Sequence, residues 1–166
     1  MRICGVDPGL GATGYGIIEF AGSQLTLVTT GVIRSSAAKT LPDRLQTIHT
    51  RLCALIRETQ PGLMVLEELY SHYDHPTTAI HMGHVRGAIL LAASECQLAV
   101  VHYSATHVKK AVTGHGHATK TQIQRMVQVL LNAPVPHGPA DATDALALAI
   151  AHAHTVRAPS VTTVTS

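Results

Sequence analysis

Residues Ile3 to Gly14 read Ile-Cys-Gly-Val-Asp-Pro-Gly-Leu-Gly-Ala-Thr-Gly. An apolar run, Ile3 to Val6, ends on a single acid, Asp7, and breaks into turn-forming residues. That is the pattern of a buried strand whose C-terminal end opens into a loop. Further along, Leu63-Met-Val-Leu66 is a second continuous apolar run, as in a strand buried on both faces, and it too ends on acids, Glu67 and Glu68. Tyr15 to Phe20 and Gln24 to Ile33 are β-rich and separated by Ala21-Gly22-Ser23, which predicts a hairpin. Leu98 to Tyr103 gives a fifth strand.

Helices fill the spaces between these runs. Leu41, Leu45, Ile48, Leu52, Leu55 and Ile56 recur at helical spacing. They predict a helix over 41–59, capped by Thr40 with Asp43 three residues on and stopped by Pro61-Gly62. Further helices are expected over 77–96, 105–112, 121–131 and 140–154. Three early strands followed by helix, strand, helix, strand and helices make an α/β pattern. Strands one, four and five are expected parallel, and the first three an antiparallel meander.

The 166 residues suit one domain over 1–154, with residues 155–166 expected as a disordered tail because they lack periodicity. Hydrophobic residues form 46% of the chain and charged ones 13%, which excludes a disordered polyelectrolyte. Aromatics form 3%, which excludes an aromatic-rich binding module. Cys4, Cys53 and Cys96 are odd in number and no CxxC occurs, so neither a disulfide framework nor an all-cysteine zinc site is expected. Free thiols and the lack of an apolar signal or membrane-length stretch suggest a cytoplasmic protein with no membrane partner. The formal net charge of +2 is compatible with nucleic acid, and the 12 histidines would raise it in mild acid.

The chemistry lies in the acids. Ligands of open α/β sheets bind beyond the carboxyl ends of strands. If strands one and four are neighbours, Asp7 and Glu67 end about 4.8 Å apart. Asp141 and Asp144 stand i, i+3 at the start of the last helix and share a face. Each has a structural alternative: Asp7 begins an Asp-Pro-Gly turn, and Asp141 and Asp144 suit a helix N-terminus. Together, without a basic partner nearby in sequence, they would repel one another. A divalent cation resolves this, and all-oxygen ligation suits Mg²⁺ or Mn²⁺. Two ions about 3.5–4 Å apart would clamp a phosphodiester.

Four segments occur in order: Val6-Asp-Pro-Gly-Leu-Gly11, Leu66-Glu-Glu-Leu-Tyr70, Gly114-His-Gly with Lys120 beyond, and Ala140-Asp-Ala-Thr-Asp-Ala-Leu-Ala147. At these spacings the chain resembles the RuvC family of Holliday junction resolvases from Met1 to about His154. The resemblance implies a ribonuclease-H-like fold with a mixed five-stranded sheet and helices on both faces. It implies a homodimeric, Mg²⁺- or Mn²⁺-dependent endodeoxyribonuclease with two ions per site, which resolves four-way junctions by paired symmetric nicks in recombination and repair. The RuvA–RuvB branch-migration complex is the implied protein partner.

By position, Asp7, Glu67, Asp141 and Asp144 resemble the catalytic, metal-binding acids. Tyr70 resembles a base-stacking aromatic. Lys109 and Lys120 match DNA-contacting basic residues, with Lys110 and Arg125 as further phosphate contacts. The segment Ser71 to His84, with His72, Tyr73, His75, His81 and His84, departs from the family pattern. A nuclease acting on structured RNA, or a nucleic-acid-binding module without catalysis, is the alternative.

Gly9, Gly11, Gly14 and Gly16 could cradle a phosphate, as in the Asp-x-Gly loops of sugar kinases and actin-like ATPases, but those chains carry two such halves. Here the glycines are read as letting backbone pass close to the acids. The pairs His115/His117 and His152/His154 are read as a polar loop near DNA and a frayed helix end, not a metal site. Ala79, Gly83 and Gly87 recur every fourth residue. They either pack inside the monomer or, as the resemblance implies, face a partner chain.

Overall fold

A computed structural model of the chain describes residues 1–68, 76–132 and 140–157. Five strands form one sheet: β1 (Arg2–Asp7), β2 (Ala12–Ala21), β3 (Gln24–Arg34), β4 (Leu63–Glu67) and β5 (Ala99–Tyr103). Their order across the sheet is β3-β2-β1-β4-β5. The first three strands pair antiparallel, and β4 pairs parallel with both β1 and β5. The meander and the parallel half are both as the sequence pattern predicts. The second strand begins at Ala12 rather than Tyr15, because Gly14 already pairs with Asp7 across the ladder. The Thr13 hydroxyl donates to the Gly9 carbonyl at 2.7 Å and folds the short loop back on itself.

Helices α1 (Leu41–Thr59) and α2 (Pro76–Glu95) cover one face. Helices α3 (Ala105–Thr113), α4 (Lys120–Leu131) and α5 (Ala140–Arg157) cover the other. The alternation of strand side chains sorts the core into two layers. Cys4, Val6, Met64 and Leu66 meet Ile48, Leu52, Val85 and Ile89 of α1 and α2. Ile3 and Val65 meet the opposite layer, built on α3, α4 and α5. The expected cap is present on α1, where Asp43 N–H donates to the Thr40 hydroxyl at 3.4 Å. Helix α4 begins with a reciprocal capping box between Thr119 and Gln122.

Helix α5 is buried on nearly every side from Ala142 to Ala153. A helix so enclosed needs small or apolar residues all round, and the alternating alanines of this segment supply them. Its backbone lies directly on the sheet. A Cβ on Gly5 would sit 1.9 Å from the Ala145 carbonyl oxygen, and one on Gly14 would sit 2.0 Å from that of Asp141. Only glycine permits this approach.

Helix α5 also continues to Arg157, three residues beyond its expected end, so His152 and His154 are not in a frayed terminus. His152 is buried and its Nδ1 shares a 2.9 Å hydrogen bond with the Tyr103 hydroxyl. His154 Nδ1 donates to the Ala111 carbonyl at 2.8 Å. These tertiary bonds hold the last turns of α5 to β5 and α3. Residues 158–166 lie outside the described residues. Gly83 and Gly87 are exposed, and a Cβ at either would meet nothing within 4 Å. Among the described residues nothing packs on this stripe at Gly83 or Gly87. Among the described residues no helix is long and apolar enough to cross a membrane.

Gly5→Ala tests the contact between α5 and the sheet. A methyl group driven into a carbonyl oxygen must push α5 outward, and such overpacking costs about 1–3 kcal/mol. Urea unfolding should show that loss; an unchanged midpoint would refute the close approach.

Candidate active site

The side-chain period of two that sorts the core also aims the acids. On β1, Ile3, Gly5 and Asp7 share the face that carries α5. On β4, Leu63, Val65 and Glu67 share the same face. Parallel register sets Val6 beside Leu66, so Asp7 and Glu67 follow side by side where the two strands end. The α5 backbone contributes the other pair. Gly14 faces Asp7 across the β1–β2 ladder, and Asp141 rests directly on Gly14. The first turn of α5 is thereby held over the end of β1, with Asp144 one turn further along.

The four acids line one cleft of about 350 Å³, together with Lys109 of α3 and Lys120 of α4. Val108 and Ile123 form part of its apolar wall. The cleft holds four carboxylates against two ammonium groups, and its electrostatics reflect that imbalance. Asp7 is pushed up from an ordinary 3.8 to about 7, first by burial and then by Asp144, Asp141 and Glu67, with Lys120 opposing. Glu67 is raised by burial and Asp144 against the pull of Lys109, Arg86 and Lys120. Asp144 is raised by burial, while Lys120, with its Nζ 3.8 Å from the Asp144 carboxylate, opposes.

Basic partners absent from the neighbouring sequence are therefore supplied in space. Lys109 and Lys120 come from helices more than 40 residues beyond Glu67, and this corrects the expectation that the acids stand without them. The positive charge is still insufficient, and the excess of hard oxygen donors fits a divalent cation such as Mg²⁺ or Mn²⁺.

Lys110 and Arg125 are exposed and do not line the cleft. On α3, Lys110 is turned about 100° from Lys109, and on α4 Arg125 lies five residues past Lys120, on another side of its helix. His115 and His117 are exposed in the loop between α3 and α4. Tyr70 lies outside the described residues, as do His72, Tyr73 and His75.

Arg86 of α2 is a residue that the sequence reading passed over. It is buried, its Nη1 donates to the Glu67 carbonyl, and its Nη2 donates to His102 Nδ1 at 3.2 Å. The signal was a single arginine between Val85 and Ile89 on an otherwise apolar helix face. An arginine there has to find acceptors, and strand ends with free carbonyls provide them.

A mixed sheet in this order, with acids gathered where its parallel strands end beneath a buried helix, defines a protein of the ribonuclease-H-like fold. Residues 3–152 match the family model described as crossover junction endodeoxyribonuclease RuvC. A relative of that name from Rhodopirellula baltica is 48% identical over 148 residues, covering 89% of this chain and 83% of the relative. The solved structure of Thermus thermophilus RuvC superposes with a TM-score of 0.86 at 31% identity, over 95% of this chain and 96% of that one. The T. thermophilus protein in complex with Holliday junction substrate superposes with a TM-score of 0.88 at the same identity, over 95% of each chain. The chain belongs to the RuvC family.

The crowding of Asp7 has a measurable sign. In metal-free buffer the folded chain keeps a proton on Asp7 that the unfolded chain releases above its ordinary pKa. Stability therefore falls as pH rises from about 4 to about 7, and the whole penalty is present above that window. Asp7→Asn is neutral at every pH. It should melt at least about 2 °C above the parent chain at pH 8, and the gap should close toward pH 4. Equal melting temperatures at pH 8 would refute the crowding.

Proposed function

We propose that this chain is a divalent-cation-dependent endonuclease that resolves four-way DNA junctions by paired symmetric nicks, in recombination and repair. The observation that carries this reading is the meeting of Asp7, Glu67, Asp141 and Asp144 in one cleft edged by Lys109 and Lys120, in a chain of the RuvC family. The T. thermophilus relative bound to a Holliday junction supports the choice of substrate.

Asp7, Glu67, Asp141 and Asp144 hold Mg²⁺ or Mn²⁺, and four carboxylates suffice for a pair of ions. When bound, the ions supply Lewis acidity at the phosphodiester and stabilise the leaving oxygen. Lys109 and Lys120 hold the phosphate against the repulsion of the acids, and Val108 and Ile123 keep bulk water from one side of the cleft. Tyr70, three residues past Glu67, stacks on a base opened at the crossover. Lys110 and Arg125, outside the cleft, meet more distant phosphates.

A homodimer brings two such sites to symmetric arms of the junction. Helix α2 supports this assembly: Ile80 is 58% exposed and Leu91 54% exposed, along the side that carries Gly83 and Gly87. An apolar stripe of this kind suits contact with a second copy. RuvA–RuvB is the partner that would deliver the junction, and the cytoplasm is the compartment.

Cleavage of a synthetic four-way junction, run beside duplex DNA and structured RNA, tests the activity. Asp7→Asn, Glu67→Gln, Asp141→Asn and Asp144→Asn should each abolish junction cleavage while binding persists. Lys120→Ala should weaken binding and shallow its salt dependence by about one phosphate contact. Full cleavage by any acid variant removes that residue from the site, and preferential cutting of RNA overturns the substrate. For the assembly, Gly87→Phe should weaken self-association in sedimentation. An intact dimer in that variant, or a parent chain that is monomeric throughout, would refute the placement on α2.

A further inference from the structure

On the face of the sheet away from the acid cleft, three side chains of unlike chemistry converge. His49 and Cys53 stand i, i+4 on α1, so they share a helix face. Glu95 reaches them as the last residue of α2. Cys53 Sγ lies 3.8 Å from His49 Nε2 and 4.0 Å from Glu95 Oε2. His49 Nε2 lies 3.2 Å from the same carboxylate oxygen. A tetrahedral zinc ion with ordinary bond lengths spaces such donors about 3.3–3.6 Å apart. The observed edges bracket that range, so small side-chain adjustments would seat an ion.

We propose that His49, Cys53 and Glu95 form a zinc-binding site that ties α1 to α2, separate from the acid cleft. Imidazole, thiolate and carboxylate together suit Zn²⁺ rather than the hard cations that four carboxylates favour. The fourth position of a tetrahedral ion would be taken by water, since Cys96 directs its thiol to the Cys53 carbonyl at 4.0 Å. Cys53 is buried, while the Glu95 side chain is 47% exposed, so an ion can enter past the carboxylate. In the metal-free chain Cys53 carries its proton, because burial, Cys96 and Glu95 push the thiol up to about 11. Binding therefore exchanges the thiol proton for a sulfur–zinc bond and releases one H⁺ to solvent. An ion here would fix the end of α2, the helix that carries Arg86 against the Glu67 carbonyl.

The test is a Co²⁺ titration of the full chain in excess Mg²⁺, followed by absorbance. Carboxylates alone give no thiolate-to-cobalt charge-transfer band, so the acid cleft is silent in this readout. The expected result is a band saturating at one Co²⁺ per chain and bleached by Zn²⁺. Cys53→Ser should abolish it, and His49→Ala should weaken it by about tenfold or more. Glu95→Gln sits at an exposed position and tests the same site without disturbing the core. It should also weaken binding, and Zn²⁺ should raise the melting temperature of the parent chain more than that of this variant. Absence of the band, its survival in Cys53→Ser, or unchanged affinity in both His49→Ala and Glu95→Gln would overturn the proposal.

Discussion

The acid cleft depends on two missing side chains. Gly5 and Gly14 let the backbone of α5 descend until its carbonyl oxygens occupy the space a Cβ would fill. Strand and helix usually keep apart by the thickness of their side chains. Here one of the two layers is absent at the contact, and the first turn of α5 comes to rest over the end of β1. The separation between the Asp7 pair and the Asp141 pair is therefore set by backbone against backbone. Such a contact has little freedom to relax, because both partners are held in their own hydrogen-bond ladders. The alanines of α5 serve the same purpose on its remaining sides, where α3 and α4 close in.

That rigid placement works against the charges it assembles. Burial and the neighbouring carboxylates raise the proton affinity of Asp7, Glu67 and Asp144, and the two lysines only partly offset this. A fold selected for stability alone would separate these groups or neutralise them. The scaffold instead holds them together with tight backbone contacts and apolar layers on both sides of the sheet. Electrostatic crowding of this kind fits a functional site rather than a structural one.

Much of this arrangement was legible along the chain, because its causes are local. The apolar runs of β1 and β4 each stop at an acid, and the period of a strand then decides which way that acid points. The capped, one-sided periodicity of α1 left its boundaries unambiguous. The basic neighbours of the acids were not legible, since Lys109 and Lys120 arrive through the packing of α3 and α4, which no local pattern encodes. His152 and His154 were misread for the same reason. Polar residues near a chain end suggest fraying unless tertiary partners exist, and Tyr103 and the Ala111 carbonyl are 49 and 43 residues away in sequence. The meeting of His49, Cys53 and Glu95 was equally hidden: its two halves lie on helices whose contact is set by the core between them.

Arg86 shows how the two sides of the sheet are joined. Its guanidinium reaches the sheet from the α2 side, yet it holds the carbonyl of Glu67, whose side chain leaves toward α5. A strand end normally frays, because its last carbonyls lose their ladder partners. Here one acceptor is held by a charged, buried donor and the next residue is tied to β5 by the bond from Glu68 N–H to the Tyr103 carbonyl at 2.8 Å. The backbone at Glu67 is thus fixed from behind while its carboxylate faces forward into the cleft. Helix α2 steadies an acid of the cleft through its buried face, while Ile80 and Leu91 stand exposed on its outer face. A displacement of α2 along its axis would be felt at Glu67 through Arg86, which makes the contact between α1 and α2 the natural place for any device that holds this helix still.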